Sequence, residues 1–376
     1  MAPTTAVGNP VISAWSTISP FGLSSAEFAE GVRSGRKAAV RLDRDEWRVP
    51  FEEAHLVPGF DTRSVLGRRG TRSMDRASGL AVAAVGRLLG GDGGERLPGV
   101  GEDTGLALGT STGSAQSMMD FTRDSLVGER PYLVDPARFP NTVMNCAAGQ
   151  SAIWHRLKGP NTTIAGGRAT GLLALQYALR LQKAGRAETL LCGAVEEFST
   201  ARAWLEWHAT DRRDNVLGEG AAVWLLERAD TARANGRPGI AEVVGLEFGF
   251  ARDGQEIRPV LGAGLRRLLD RAGVAPEEIW AVADSQAPGA DGEAERAAIA
   301  GVLGTAVPRR VPCAEFIGDT SAASAAFQIA AVLALAEDGG AAGARTVLVT
   351  SAESNGVVGA ALLKLVDHPE AARSGK

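Results

Sequence analysis

The stretch TTIAGGRATGLLALQ, Thr162–Gln176, decides how the rest of the chain is read. Small residues lead straight into the start of an apolar helix. The free N–H groups and positive dipole end at such a place lower a thiol's pKa, which makes it a frequent seat for a nucleophile. Here the position is occupied by Arg168. A guanidinium stays protonated and its nitrogens are delocalised, so it cannot accept an acyl group. The local architecture prepares for chemistry that the side chain cannot perform.

Working outward, 376 residues exceed one small core and predict two similar lobes. A division at 1–229 and 230–376 is expected, with the polar segment DTARANGRPG, 230–239, at the boundary. Net charge is −4, which proposes neither nucleic acid nor an anionic membrane surface as a partner. No apolar run reaches the roughly 18 to 20 residues that span a bilayer. The N-terminus lacks a basic region followed by an apolar one, so no secretory signal is expected. Three widely spaced cysteines, Cys146, Cys192 and Cys313, suit neither a disulfide framework nor a metal site and point to a reducing cytoplasm.

Short apolar runs at 104–110, 187–195, 221–228, 239–251, 279–285, 345–353 and 359–366 predict strands. Helical patterns lie at 24–36, 74–89, 170–185, 262–273 and 320–339. The alternation indicates an α/β fold. It also carries a weak repeat. The helix beginning at 170 runs into ETLLCGAVEE, and the one beginning at 320 runs into RTVLVTSAESN. Both helices are rich in Ala, Gly and Ser on several faces, so both are expected to be buried at the centre, facing each other.

Taken in order, ISPFGLSSAEFAEGVRSGR, RFPNTVMNCAAGQSAIWHRLKGPN, the helix after Arg168, GRAETLLCGAVEE and VLGEGAAVWLLERADTARANGR resemble the β-ketoacyl synthases. The resemblance covers nearly the whole chain and implies the thiolase fold, duplicated α/β halves in a five-layered αβαβα arrangement. In that family a Cys at the start of the buried helix takes the acyl chain as a thioester. Two His residues then assist decarboxylation and carbon–carbon bond formation. Carried over, the Cys falls on Arg168, the first His on Asp284 in VADSQAPGADGEAER, and the second on Asp319 in AEFIGDTSAA; the family's lysine becomes Ala314. Pro288 and Glu295 anchor the first of these two stretches. The Gly-rich turn near the C-terminus survives only as ESNGVVG. No reactive group remains, so these three positions are vestigial and no catalytic residue is assigned. A decarboxylase variant of the family keeps both His residues and does not fit either.

An unpaired buried cation at a helix start is costly, and both former His positions carry carboxylates. An ionic cluster of Arg168, Asp284 and Asp319 is therefore expected to plug the relic pocket.

The chain most resembles the inactive copies of the family, the chain-length factors of type II polyketide synthases. That resemblance implies a heterodimer with an active ketosynthase subunit, in which this chain closes the tunnel of the growing polyketide chain. An acyl carrier protein would act through the complex. Aromatic and polyene-type products are both open, because the common aromatic members carry Gln rather than Arg at the Cys position. SAQSMMDFTRD supplies the gate residues Met118, Met119 and Phe121, and RFPNTVMN adds Phe139. A different reading is a freestanding, non-catalytic homodimeric binding protein of the same fold.

One motif competes. GTSTG, Gly109–Gly113, matches the G-x-S-x-G elbow of serine hydrolases, with Ser111 as nucleophile. Only His155, His208 and His368 follow it, without an oxyanion motif. No phosphate loop, cofactor motif or metal-ligand spacing appears.

Overall fold

A computed structural model describes residues 9–90, 95–209, 215–306, 308–336 and 345–366. Ten strands form one sheet built from two five-stranded halves of matching order. The first half contains β1 (Pro10–Ile18), β2 (Gly105–Gly109), β3 (Asn161–Ile164), β4 (Leu190–Glu196) and β5 (Gly220–Arg228). The second contains β6 (Ala241–Ala251), β7 (Ile279–Ala283), β8 (Arg309–Arg310), β9 (Arg345–Ser351) and β10 (Gly356–Leu365). Across the sheet the order is β8-β7-β9-β10-β6-β1-β5-β4-β2-β3. Each half thus repeats the other, with β1 matching β6, β2 matching β7, and so on. The halves join where Val11 pairs with Glu242 and Ile12 with Ala241.

Among the described residues, nine α-helices of ten residues or more complete the frame: α1 (Ser25–Ser34), α2 (Arg76–Gly90), α3 (Ala115–Val127), α4 (Cys146–His155), α5 (Thr170–Lys183), α6 (Thr200–Ala209), α7 (Gly254–Ala272), α8 (Gly289–Leu303) and α9 (Ser324–Ala336). Caps set several ends. Ser24, Ser114 and Asp253 each accept a backbone N–H in the first turn that follows. Left-handed Gly35 and Gly273 close α1 and α7.

The layers follow from which side chains pack together. α5 and α9 lie in the middle, within a core that includes Leu172, Leu175, Phe327 and Trp224. α2 and α4 cover the outer face of the first half through Leu80, Val85, Leu106 and Val223. α7 and α8 cover the second half through Leu265, Ile299, Leu348 and Leu362. This is the five-layered thiolase arrangement. Every residue of α9 is buried, which explains its lack of a polar face. Close approach of the central helices requires small residues. A Cβ on Gly171 would stand 2.5 Å from the backbone nitrogen of Ala326.

The motif VLGEGAAVWLLERADTARANGR acquires a physical reason. Buried Glu219 accepts hydrogen bonds from the guanidinium of Arg76 and the backbone N–H groups of Val57 and Phe198, tying the start of α2 and two loops to the head of β5. Eight residues on, buried Glu227 forks with Arg237, whose other nitrogen reaches the carbonyl of Pro98. The segment between β5 and β6 contains a short helix, Ala229–Ala234, that the polar composition of 230–239 does not announce. Sequence pattern also misses β1, β3, β8, α3, α4, α6 and α8. CAAGQSAIWH has no clear apolar period, and GADGEAERAAIAGVL mixes charges with small residues.

The helix contact gives a stability test. Gly171→Leu is expected to lower unfolding stability by about 3 kcal/mol, because rigid backbone opposes the new side chain. Gly149→Ala, on α4 with nothing within 4 Å, is expected to be neutral or stabilising by up to about 1 kcal/mol. Urea midpoints of the two variants check the pair.

Candidate functional site

β3 delivers the chain into a single 3-10 turn, Gly167–Ala169, and then α5. Gly167 has φ +58°, and a Cβ there would overlap Glu353 Oε2 at 1.7 Å, so glycine is required twice over. Thr170 Oγ1 accepts the N–H of Gly166 and donates to the carbonyl of Gly167, fixing the turn. The N–H of Arg168 donates to Glu353 Oε2 at 3.0 Å. Glu353 belongs to ESNGVVG, so this remnant of a Gly-rich turn supplies the acceptor for the helix start.

The Arg168 side chain reaches across the molecule's centre and its Nη2 donates to Asp319 Oδ2. Both side chains are largely buried, at 12% and 8% exposure. Asn215 Nδ2 donates to the same Asp319 oxygen at 2.7 Å, and the N–H of Ser321 donates to the other at 2.9 Å. Burial alone would raise the Asp319 pKa, but the Arg168 charge and hydrogen bond, aided by Arg202, hold it well below the usual carboxylate range. Arg202 is itself buried and holds the loop, donating to the carbonyls of Glu197, Gly218 and Asp319. Arg168, Asp319 and Asn215 line a polar cavity of about 430 Å³ with Lys37, His55 and Gln286.

Asp284 departs from the expected cluster. It directly follows β7 outside the lining of that cavity, and its Oδ1 accepts Arg310 Nε at 3.3 Å rather than Arg168. The cause is the turn after β7. Fully buried Glu295 accepts the N–H and hydroxyl of Ser285 and the hydroxyl of Thr350, and this grip directs the preceding residue away from the cavity. Gln286 faces the cavity instead. The central ion pair is thus a couple, not a triad.

The four gate residues lie on α3 and the 3-10 helix beside it, and none of them lines the Arg168 cavity. Met118 and Phe121 are half-buried on α3, and Met119 is 47% exposed. Phe139, 58% exposed, sits on the 3-10 helix Pro136–Thr142 with its ring 5.9 Å from that of Phe121. Leu126, Val127, Tyr132, Leu133, Val143, Met144 and Ile153 are exposed in the same span. With Met119 and Phe139 they make nine of the fourteen exposed large apolar side chains among the described residues. Apolar side chains exposed so densely within one span of chain mark a candidate interaction surface.

Residues 10–232 match the family model for the β-ketoacyl synthase N-terminal domain. The chain belongs to the β-ketoacyl synthase family. It is 27% identical over 263 residues to 3-oxoacyl-[acyl-carrier-protein] synthase 2 of Vibrio cholerae, a match covering 65% of this chain and 63% of that enzyme's length. It is 28% identical over 331 residues to the granaticin polyketide putative beta-ketoacyl synthase 2 of Streptomyces violaceoruber, covering 80% and 76%. Among solved structures, the ishigamide ketosynthase/chain length factor superposes with TM-score 0.89 at 45% identity, covering 96% of this chain and all of that one. The type II polyketide ketosynthase complex AntDE:AntF superposes with TM-score 0.77 at 16% identity, covering 96% and 100%, which shows the shared fold.

For a ketosynthase-family member the thiols and hydroxyls are unremarkable. All three cysteines are buried, and burial pushes Cys146 up to about 11 and Cys192 and Cys313 higher still. Ser111 donates to buried Glu196 at 3.0 Å rather than to an imidazole. His155 bonds the carbonyl of Val82, and His208 stacks on Trp204. His368 lies outside the described residues. The elbow motif therefore has no base from the two described histidines that follow it, which corrects the Ser111 reading. His55, buried in the cavity wall with its pKa lowered to about 4 by burial, was not legible from any motif. Glu353, Asn215 and Arg202 were likewise hidden, because each acts through distant chain contacts.

The ion pair predicts a pH signature. A native pKa below the ordinary value makes Asp319 stabilising at neutral pH, and that contribution fades as pH falls through about 4 and below. Arg168→Ala is expected to cost about 3 to 5 kcal/mol at pH 7.5, leaving a buried carboxylate without its partner. Burial then raises the Asp319 pKa, so the deficit is expected to shrink towards pH 5. Denaturant titrations of both proteins at the two pH values check the direction.

Proposed function

We propose that the protein is the non-catalytic chain-length factor of a type II polyketide synthase. It pairs with an active ketosynthase and limits the growing polyketide chain by closing that subunit's acyl tunnel. The observation that carries this is the buried Arg168–Asp319 pair at the start of the central helix. A delocalised cation already neutralised by a carboxylate offers no electron pair to a thioester and no room for one. The 45% identity to the ishigamide ketosynthase/chain length factor supports the choice of group. Concentrated apolar surface around α3 and the 3-10 helix supports a partner seated there.

In this mechanism the chain contributes shape. Met118, Met119, Phe121 and Phe139 present the far end of the tunnel, and extension stops when the acyl tail meets them. Methionine adapts to a flexible chain, while the paired rings supply a rigid stop. The acyl carrier protein delivers units to the active subunit, and no cofactor is needed for any step assigned here. The homodimeric reading uses the same apolar face with a second copy of this chain.

Co-expression with an active ketosynthase from the same genome is expected to yield a stoichiometric pair that survives gel filtration. A stable homodimer that ignores that ketosynthase would favour the second reading. Within the pair, Met119→Ala and Phe139→Ala are expected to shift products to longer chains by at least one two-carbon unit, read by mass spectrometry. Unchanged length distributions from these two variants and from Met118→Ala and Phe121→Ala would remove the gate assignment.

A further inference from the structure

α3 carries three of the four gate residues, yet of its thirteen residues Ala115 alone is buried. Its first turn borders a cavity of about 340 Å³ lined by Trp47, Asp75, Gln116, Ser117 and Thr200, so packing alone does not fix where the helix starts. Hydrogen bonds do. Glu197 directly follows β4 and is 1% exposed. Its Oε1 accepts the hydroxyl of Ser114 and the N–H of Gln116, each at 3.2 Å. Gln116 Oε1 in turn accepts the N–H of Ala201, in the first turn of α6, at 3.0 Å. Further along, α3 meets the 3-10 helix Pro136–Thr142 through the rings of Phe121 and Phe139 and the pair Asp124–Arg138. That helix is mostly exposed, and its buried Asn141 donates to the carbonyl of Ser73. The gate is thus pinned to the body of the molecule at Glu197 on one side and Asn141 on the other.

We infer that Glu197 is the positioning residue of the gate: its carboxylate sets where α3 begins, and so the depth at which Met118, Met119 and Phe121 meet the acyl tail. This role rests on the chain-length reading and places a determinant of product length outside the gate itself. Burial, with the Asp75 charge nearby, pushes Glu197 up to about 7. Above that pH its bonds to α3 are charge-assisted, and the charge meets the positive end of the helix. Below it the same bonds join neutral groups, and the start of α3 is held less firmly. The charged groups around Glu197 are Asp75 and Arg76 at the start of α2; Arg76 is shared with Glu219 and, at longer range, Glu46. Asp75 is itself engaged by the N–H and hydroxyl of Ser78. From α6, Arg202 donates to the Glu197 carbonyl. Ser114, Gln116 and Ser199 face the carboxylate as neutral donors.

The test supplies the purified pair of this chain and its ketosynthase with acyl-loaded carrier protein at pH 6.0 and pH 8.5, and reads product lengths by mass spectrometry. The ratio of longer to shorter chains is expected to be at least about threefold higher at pH 6.0. Glu197→Gln keeps an acceptor but loses the charge, and is expected to give the high ratio at both pH values. A wild-type ratio that does not change with pH overturns the role, as does a Glu197→Gln pair that keeps the wild-type pH response. Phe121→Ala, run alongside, separates the two claims. Longer products from Phe121→Ala, with none from low pH or Glu197→Gln, remove the positioning role and leave the chain-length reading standing. No lengthening from any of the three removes both. Should the Glu197 variant fail to pair, hydrogen exchange on the wild-type pair decides. The amides of Gln116 and Ser117, corrected for intrinsic rates, are expected to be at least about threefold less protected at pH 6.0 than at pH 8.5. Equal protection overturns the role.

Discussion

A guanidinium buried at the start of the central helix constrains everything around it. Arg168 sits where the helix dipole already opposes positive charge, and where little water can reach it. Such a residue persists only if a carboxylate is delivered to it across the two halves of the fold. Asp319 is that carboxylate, and its own loop is held by Arg202, Asn215 and Ser321. Glu353 secures the backbone of the same turn from a third direction. The duplicated architecture makes this possible, because the loops before α5 and α9 meet at the centre. The pair therefore locks the two halves together at the point where the family resemblance implies a reacting thiol.

Much of this was legible in the sequence because the central helices advertise their position. Ser324–Ala336 is too small and too apolar on every face to lie at a surface, and Thr170–Lys183 opens on a Thr-Gly-Leu-Leu-Ala-Leu run that suits the buried side beside it. Their matching following strands gave the duplication, and the sheet order bears it out. The Arg168–Asp319 contact was legible because the family resemblance brings the two positions together and their charges are complementary. Asp284 was not, since its orientation is set by Glu295 gripping Ser285 and Thr350, a network spread over 66 positions of chain, 285 to 350. Residue type at a position says which charge is present. It does not say which way a turn points it.

The same reasoning explains the hidden members of the site. His55 enters the cavity from a loop early in the chain, and its neighbours carry no catalytic pattern. Glu353 looked like debris of a glycine-rich turn and proves to be the acceptor for the Arg168 N–H. The strands and helices missed from sequence, including Cys146–His155 and Gly289–Leu303, are those in which small or charged residues blur the apolar period. Tertiary packing decides such segments, and single-sequence periodicity has little hold on them.

The central claim is that the ion pair has replaced nucleophilic chemistry with structure, so that one subunit shapes what another makes. Its most direct test is intact-mass spectrometry of the paired subunits after incubation with an acyl-loaded carrier protein. The account predicts an acyl adduct on the ketosynthase alone, with this chain at its unmodified mass. Stoichiometric acylation of this chain, or condensation by it without the ketosynthase, would contradict the account.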